Sequence, residues 1–135
     1  MFIMSRHRYL LPLGVFLLAM LPVLRDAPGA QFTYLLKVDF QCNNGITTPG
    51  YSVYVAGASP ELGNWDPAKA AKLAPGAYPT WAGTVNFQGA NPGDEVEWKC
   101  IVRNENDPTD VKWQPDPNNK VTMAFSPVPK SVGAF

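Results

Sequence analysis

Histidine is almost missing from this sequence. The chain of 135 residues has one, His7, inside an N-terminal stretch that reads as a removable leader. Beyond that stretch, nucleophilic triads and dyads that need an imidazole are excluded, as is every histidine-based metal site. Charge of one sign is lacking too. Lys and Arg number 11 against 11 Asp and Glu, and no segment gathers the basic residues that a phosphate backbone requires, which excludes nucleic acid as a partner. A long apolar run is likewise absent. The run from Leu10 to Leu24 holds Pro12 and Pro22 and is cut by Arg25-Asp26, whereas a membrane-crossing helix needs about 20 apolar residues.

What remains of the N-terminus has the anatomy of a secretory signal peptide. Arg6, His7 and Arg8 give a positive head, the apolar run follows, and Ala27-Pro28-Gly29-Ala30 closes it with small residues. Residues 1–30 are therefore expected to be removed, leaving a secreted chain, extracellular or periplasmic, with no membrane attachment; the alternative left open is an uncleaved N-terminal anchor, since Arg25 and Pro28 make the cleavage site imperfect. From Gln31 onward 8 basic residues face 10 acidic ones, a formal net charge of −2. That length suits one domain. Hydrophobic residues at 46% and aromatics at 12% supply a packed core and exclude disorder.

Helical periodicity is nearly absent past residue 30. Instead, short apolar segments are punctuated by many of the 14 Pro and 11 Gly residues, the pattern of an all-β domain. The expected strands are residues 32–42, 51–57, 69–73, 81–87, 94–103, 110–114 and 120–125. Turns fall on Asn43-Asn44-Gly45, Thr48-Pro49-Gly50, Ala74-Pro75-Gly76-Ala77, Gly89-Ala90-Asn91-Pro92-Gly93 and the stretches at 104–108 and 115–119. The expected fold is an immunoglobulin-like antiparallel β-sandwich of about seven or eight strands. It would occupy residues 31–126, with 127–135, which holds Pro127 and Pro129, as a surface tail.

Cys42 and Cys100 are the only cysteines. Period-2 alternation turns Cys42 inward with Leu36, Val38 and Phe40, and Cys100 inward with Val96 and Trp98. In an oxidising compartment a structural disulfide is the expected outcome, against two buried thiols or a redox pair. The same alternation turns Glu97 and Lys99 outward.

Two tryptophans sit where no strand face buries an indole. Trp65 lies in Leu62-Gly63-Asn64-Trp65-Asp66-Pro67 and Trp113 in Val111-Lys112-Trp113-Gln114-Pro115-Asp116-Pro117-Asn118. Each is either a platform for a flat ligand such as a sugar ring or a plug at one end of the sandwich. Asp94, Glu95, Glu97, Asp107, Asp110 and Asp116 are the carboxylates to weigh for glycosidase work or calcium. They stand in turns or on exposed strand positions, where solvation is the ordinary state. No catalytic residue, metal or cofactor is expected.

Taken together, Val53 to Pro67, Tyr78-Pro79-Thr80-Trp81, Val96-Glu97-Trp98-Lys99-Cys100 and Trp113 to Asn118 resemble the family 20 carbohydrate-binding modules, the starch-binding domains. The likeness runs from about Phe32 to Phe125. Phe40 to Gly45 and Glu97 to Glu105 are also similar to the C-terminal domain of maltotetraose-forming amylases. The resemblance implies a non-catalytic module for starch, maltodextrins and cyclodextrins, acting alone or beside a separate amylase. It implies a first site in which Trp65 and Trp113 stack on glucose rings while Lys99, Glu97 and Asn118 meet hydroxyls, with Trp81 and Trp98 in the core. A second site is matched in part. Tyr78 fits it, but its other aromatic position falls on Pro49, for which the nearby Tyr51 is the candidate substitute. Two further classes stay open: a detached piece of an amylase, and an adaptor that holds a partner on a glucan surface.

Overall fold

The computed structural model describes residues 33–135; the expected signal segment lies outside the described residues. Among the described residues nine strands form two sheets. They are β1 (Leu35–Asn43), β2 (Tyr51–Gly57), β3 (Ala71–Lys72), β4 (Ala74–Pro75), β5 (Trp81–Gln88), β6 (Glu95–Asn104), β7 (Val111–Trp113), β8 (Asn119–Thr122) and β9 (Lys130–Ala134). One sheet runs β4-β5-β1-β9. The other runs β3-β2-β6-β7, with β8 pairing the first half of the long β6.

The alternation that defines β1 in the sequence is what packs it. Leu36, Val38, Phe40 and Cys42 are buried and Leu35 and Lys37 are exposed. From the facing sheet Val53, Val55, Val96, Trp98 and Cys100 complete one core with Trp81, Phe87 and Leu62. Trp98 is fully buried and meets the Phe40 ring edge-on at 4.9 Å. Buried indole N–H groups need acceptors, and both find one: Trp98 Nε1 donates to Ser131 Oγ at 2.9 Å and Trp81 Nε1 to the Gly45 carbonyl at 2.8 Å. The disulfide forms as expected. Cys42 and Cys100 are bonded with their Cα atoms 6.0 Å apart, joining β1 to β6 and thus one sheet to the other.

The C-terminal stretch departs from expectation. Residues 130–134 are no surface tail but β9, which pairs with β1 in parallel from Asp39↔Lys130 to Asn43↔Ala134. Its inward residues are Ser131 and Gly133. Ser131 serves Trp98, and a Cβ at Gly133 would lie 2.6 Å from Asn119 Nδ2, 2.7 Å from Gln114 Oε1 and 2.9 Å from Cys100 Sγ. Close approach of backbone to buried groups, not hydrophobicity, places this strand. The sandwich therefore has one more strand than the upper expectation and one parallel pair in an otherwise antiparallel arrangement.

Candidate functional site

The outer face of the β2–β6–β7 sheet carries a second, smaller apolar cluster. Tyr54, Ala56 and Ile101 are buried there, with Ala70, Val111 and Trp113 packed against them. Trp113 stands opposite Ile101 across the β6–β7 pairing, so one side of its ring is bedded while the residue stays only half-buried.

Trp65 reaches the same place from a loop. The 3-10 turn Pro60–Trp65 is pinned by Leu62, which is fully buried. Gly63, Asn64 and Trp65 then take positive φ angles of 81°, 51° and 66° in succession. Such angles suit glycine and asparagine but are uncommon for an aromatic residue. A side chain at Gly63 would put its Cβ 2.8 Å from the Lys69 carbonyl group, so the loop is closed tightly on the next turn, Pro67–Lys69, where the Asp66 carboxylate accepts from Ala68 N. This left-handed run swings the Trp65 ring over the sheet. Its centroid lies 6.2 Å from that of Trp113, with the ring planes inclined by 44°.

Between the two rings opens a shallow cavity of about 230 Å³ lined by Trp65, Lys99, Trp113 and Asn118. Four of the five residues assigned to the first site are thus brought together. Lys99 corrects the sequence reading in part. It faces outward from the strand, but it is only 9% exposed, because its ammonium folds under the 114–116 turn, donating to the Gln114 carbonyl at 3.2 Å and pairing with Asp116. An ammonium has three N–H donors; two are engaged, which leaves one for the cavity. The hydrogen bond from Lys99, and then its charge, hold the Asp116 carboxyl below the usual carboxylate range.

Glu97 does not line the cavity. Its carboxylate accepts from Asn118 Nδ2 at 3.2 Å and faces Lys120 at 3.8 Å, so it orients Asn118 and leaves that residue's carbonyl oxygen as an acceptor. The loop bearing Asp116 and Asn118 is closed at its base by a reciprocal amide pair. Gln114 Nε2 donates to Asn119 Oδ1 at 3.1 Å and Asn119 Nδ2 to Gln114 Oε1 at 2.8 Å. Gln114 Oε1 also accepts from Cys100 N at 3.0 Å. Neither Gln114 nor Asn119 was singled out by sequence; the only hint was their position bracketing the Pro115-Asp116-Pro117-Asn118 turn.

The residues of the second site stand differently. Tyr78 is 56% exposed and its hydroxyl meets the Thr47 backbone, accepting from N at 3.2 Å and donating to O at 3.4 Å. Pro49 is exposed. The Tyr51 hydroxyl donates to Asp110, a partner that raises its pKa.

Two larger hollows, of about 430 Å³ each, lie elsewhere, one along Asp39, Gln41, Thr84 and Lys130 and one along Ser59, Glu61, Asp94 and Glu95. The only aromatic residues in their walls, Phe40 and Phe87, are 1% exposed, so neither hollow offers a stacking face. The remaining loop carboxylates have structural partners: Asp107 accepts from Thr109 Oγ1 at 2.6 Å and Asp94 from Asn91 N at 2.9 Å. Among the described residues no group of three or more Asp, Glu, Cys or His is gathered to hold a metal ion.

Comparison with known proteins agrees with this architecture. Residues 35–131 match the family profile described as "Starch binding domain". The chain is 47% identical over 97 residues to a cyclomaltodextrin glucanotransferase of Klebsiella oxytoca, covering 70% of this chain and 14% of that protein. It is 47% identical over 92 residues to a glucan 1,4-alpha-maltotetraohydrolase of Roseateles saccharophilus, covering 67% and 16% respectively. It thus spans about one-seventh to one-sixth of the length of these curated relatives. The crystal structure of the family 20 module of a maltotetraose-forming amylase from Pseudomonas saccharophila superposes with a TM-score of 0.66 at 43% identity, covering 74% of this chain and all of that one. The chain belongs to the family 20 carbohydrate-binding modules, the starch-binding domains.

Proposed function

We propose that this protein is a secreted, non-catalytic module that binds starch and soluble α-1,4-glucans, maltodextrins and cyclodextrins among them, at the surface formed by Trp65 and Trp113. The observation that carries the reading is the pair of inclined indoles, 6.2 Å apart at 44°, above polar groups that are already oriented. Indole faces stack on the C–H surface of a sugar ring and lose little entropy in doing so. A helically curved glucan lays successive rings on two inclined planes, whereas a flat β-1,4 chain would call for a coplanar strip. Lys99 donates to a hydroxyl with its remaining N–H, Asn118 accepts with its carbonyl, and Glu97 keeps Asn118 turned toward the ligand. Tyr78 forms a weaker, second contact without a partner ring at Pro49.

Isothermal titration of the chain with β-cyclodextrin, alongside a pulldown on granular starch and on cellulose, tests this. Binding to starch and cyclodextrin but not to cellulose is expected. Failure to bind either α-glucan overturns the reading.

A further inference from the structure

We infer that Arg103, which does not line the cavity, is a positioning residue that fixes the separation and tilt of Trp65 and Trp113 and thereby the curvature of glucan the site accepts; the inference rests on the glucan reading above. Arg103 sits on β6 between Ser52 of β2 and Val111 of β7. Its guanidinium carbon lies 3.9 Å from the centroid of the Tyr54 ring, and its Nη1 donates to the Pro67 carbonyl at 2.5 Å. These two contacts belong to different halves of the site. Tyr54 is part of the apolar bed on which Trp113 rests. Pro67 opens the turn that follows Trp65 and Asp66.

One planar cation therefore ties the bed of one indole to the loop of the other. The chemistry calls for arginine, because a guanidinium stacks with its face while donating from its edge, and an ammonium has no face to stack. Two further facts speak for positioning rather than stability alone. The residue is 9% exposed, and its Nε has no hydrogen-bond partner among the described residues; a well-packed apolar side chain would fill that space without an unsatisfied donor. Trp65, meanwhile, is held at a φ of 66°, a conformation that persists only where the surroundings impose it.

The test uses Arg103→Lys, Arg103→Met and Tyr54→Leu in the full chain. Two indoles this close and inclined couple excitonically, so the circular dichroism couplet that disappears in Trp65→Ala reports their mutual geometry without any ligand. Calorimetry with β-cyclodextrin, whose curvature is fixed, and maltoheptaose, whose curvature adapts, reports the consequence. In Arg103→Met the couplet should collapse and cyclodextrin affinity fall by about tenfold or more, with a smaller loss for maltoheptaose. Arg103→Lys should fail to restore either readout, and Tyr54→Leu should shift both in the same direction.

A couplet and an affinity ratio unchanged in Arg103→Met, even with a lowered melting temperature, would show a stabilising residue and overturn the inference. Should the Met variant not fold, Arg103→Lys, which keeps the charge and the stem, decides by the same two readouts. If the wild-type chain binds neither sugar, the glucan reading fails, yet the couplet in the Arg103 variants still decides whether Arg103 sets the ring geometry.

Discussion

Replacing both half-cystines by alanine separates what the disulfide does for the fold from what it does for the site. The bridge spans 58 residues of sequence, and the loop-closure model assigns such a constraint about 4 kcal/mol of unfolded-state entropy. Both residues are fully buried, and the Cys100 sulfur is packed against Gly133, so removing two sulfurs adds a cavity cost of about 1 kcal/mol. A domain of about one hundred residues unfolds with an entropy near 0.2 kcal/mol/K, which turns about 5 kcal/mol into a drop in Tm of roughly 20 to 25 °C. Scanning calorimetry of Cys42→Ala/Cys100→Ala against the oxidised wild type measures it, with the reduced wild type as control. Cyclodextrin affinity at low temperature should survive, because Cys100 is tied to Gln114 through its backbone: Cys100 N donates to the Gln114 side chain and Gln114 N to the Cys100 carbonyl. A variant melting within about 5 °C of the oxidised protein would refute the loop-closure reasoning. Loss of binding while still folded would refute the claim that the site is held independently of the sulfurs.

The two indoles should differ under truncation. Trp65→Ala is expected to cost about 2 kcal/mol of binding, roughly thirtyfold, with little change in Tm, whereas Trp113→Ala should cost similar binding and also about 2 kcal/mol of stability because its ring covers the Ile101 cluster; equal melting temperatures would contradict this. Titration with β-cyclodextrin should saturate one dominant site, and the Trp65→Ala, Trp113→Ala double mutant should retain only weak binding, sensitive to Tyr78→Ala. Strong binding by the double mutant would show that Tyr78 suffices without a ring at Pro49. Asp116, Glu105 and Asp107 are held below the usual carboxylate range, Asp116 by its bond to Lys99, Glu105 by Ser52 and then Lys72, and Asp107 by Thr109. Each depressed group contributes stability that is complete above its unfolded pKa, about 4, and is lost as pH falls through the lower folded value. Melting temperature is therefore expected to be level from neutrality to about pH 5 and to fall below about pH 4; a decline that begins near pH 6 would point to other groups.

Much of this molecule was legible because its strands obey a simple alternation. Leu36, Val38, Phe40 and Cys42 mark one face of β1, and Val96, Trp98 and Cys100 mark one face of β6. Those two patterns were enough to pair the cysteines and bury Trp98. The strand missed, β9, breaks the rule for a physical reason. Its inward positions are Ser131, needed as an acceptor for an indole, and Gly133, needed for close approach, while the apolar Val132 faces out at 47% exposure. Lys99 was placed on the correct face, but a strand pattern does not register that a turn distant in sequence will cover it. The supports of the site were invisible for a similar reason. Arg103 acts through the Pro67 carbonyl and the Tyr54 ring, and Gln114 and Asn119 through each other and the Cys100 amide, and none of these residue types signals such a role in sequence.

The parallel pairing of β9 with β1 has a consequence for how the domain is made. β9 meets β1 across 91 residues of sequence, from Asp39 to Lys130, so the β1–β5 and β2–β6 pairs, which join strands much closer in sequence, can form before β9 docks. Until then Trp98 lacks its Ser131 acceptor, and the amide pair beneath the second tryptophan loop lacks the Gly133 backbone that packs against it. Pairing between the first and last strands is also the longest-range contact of the fold, the class that closes slowly. The folding domain therefore passes through an interval in which most of its strands have paired and the loop beneath Trp113 lacks its backing. During that interval the outer edge of β1 is an unpaired strand edge, open to a neighbouring chain, and the docking of β9 covers that edge and seats Gly133 against the Gln114–Asn119 pair in the same act.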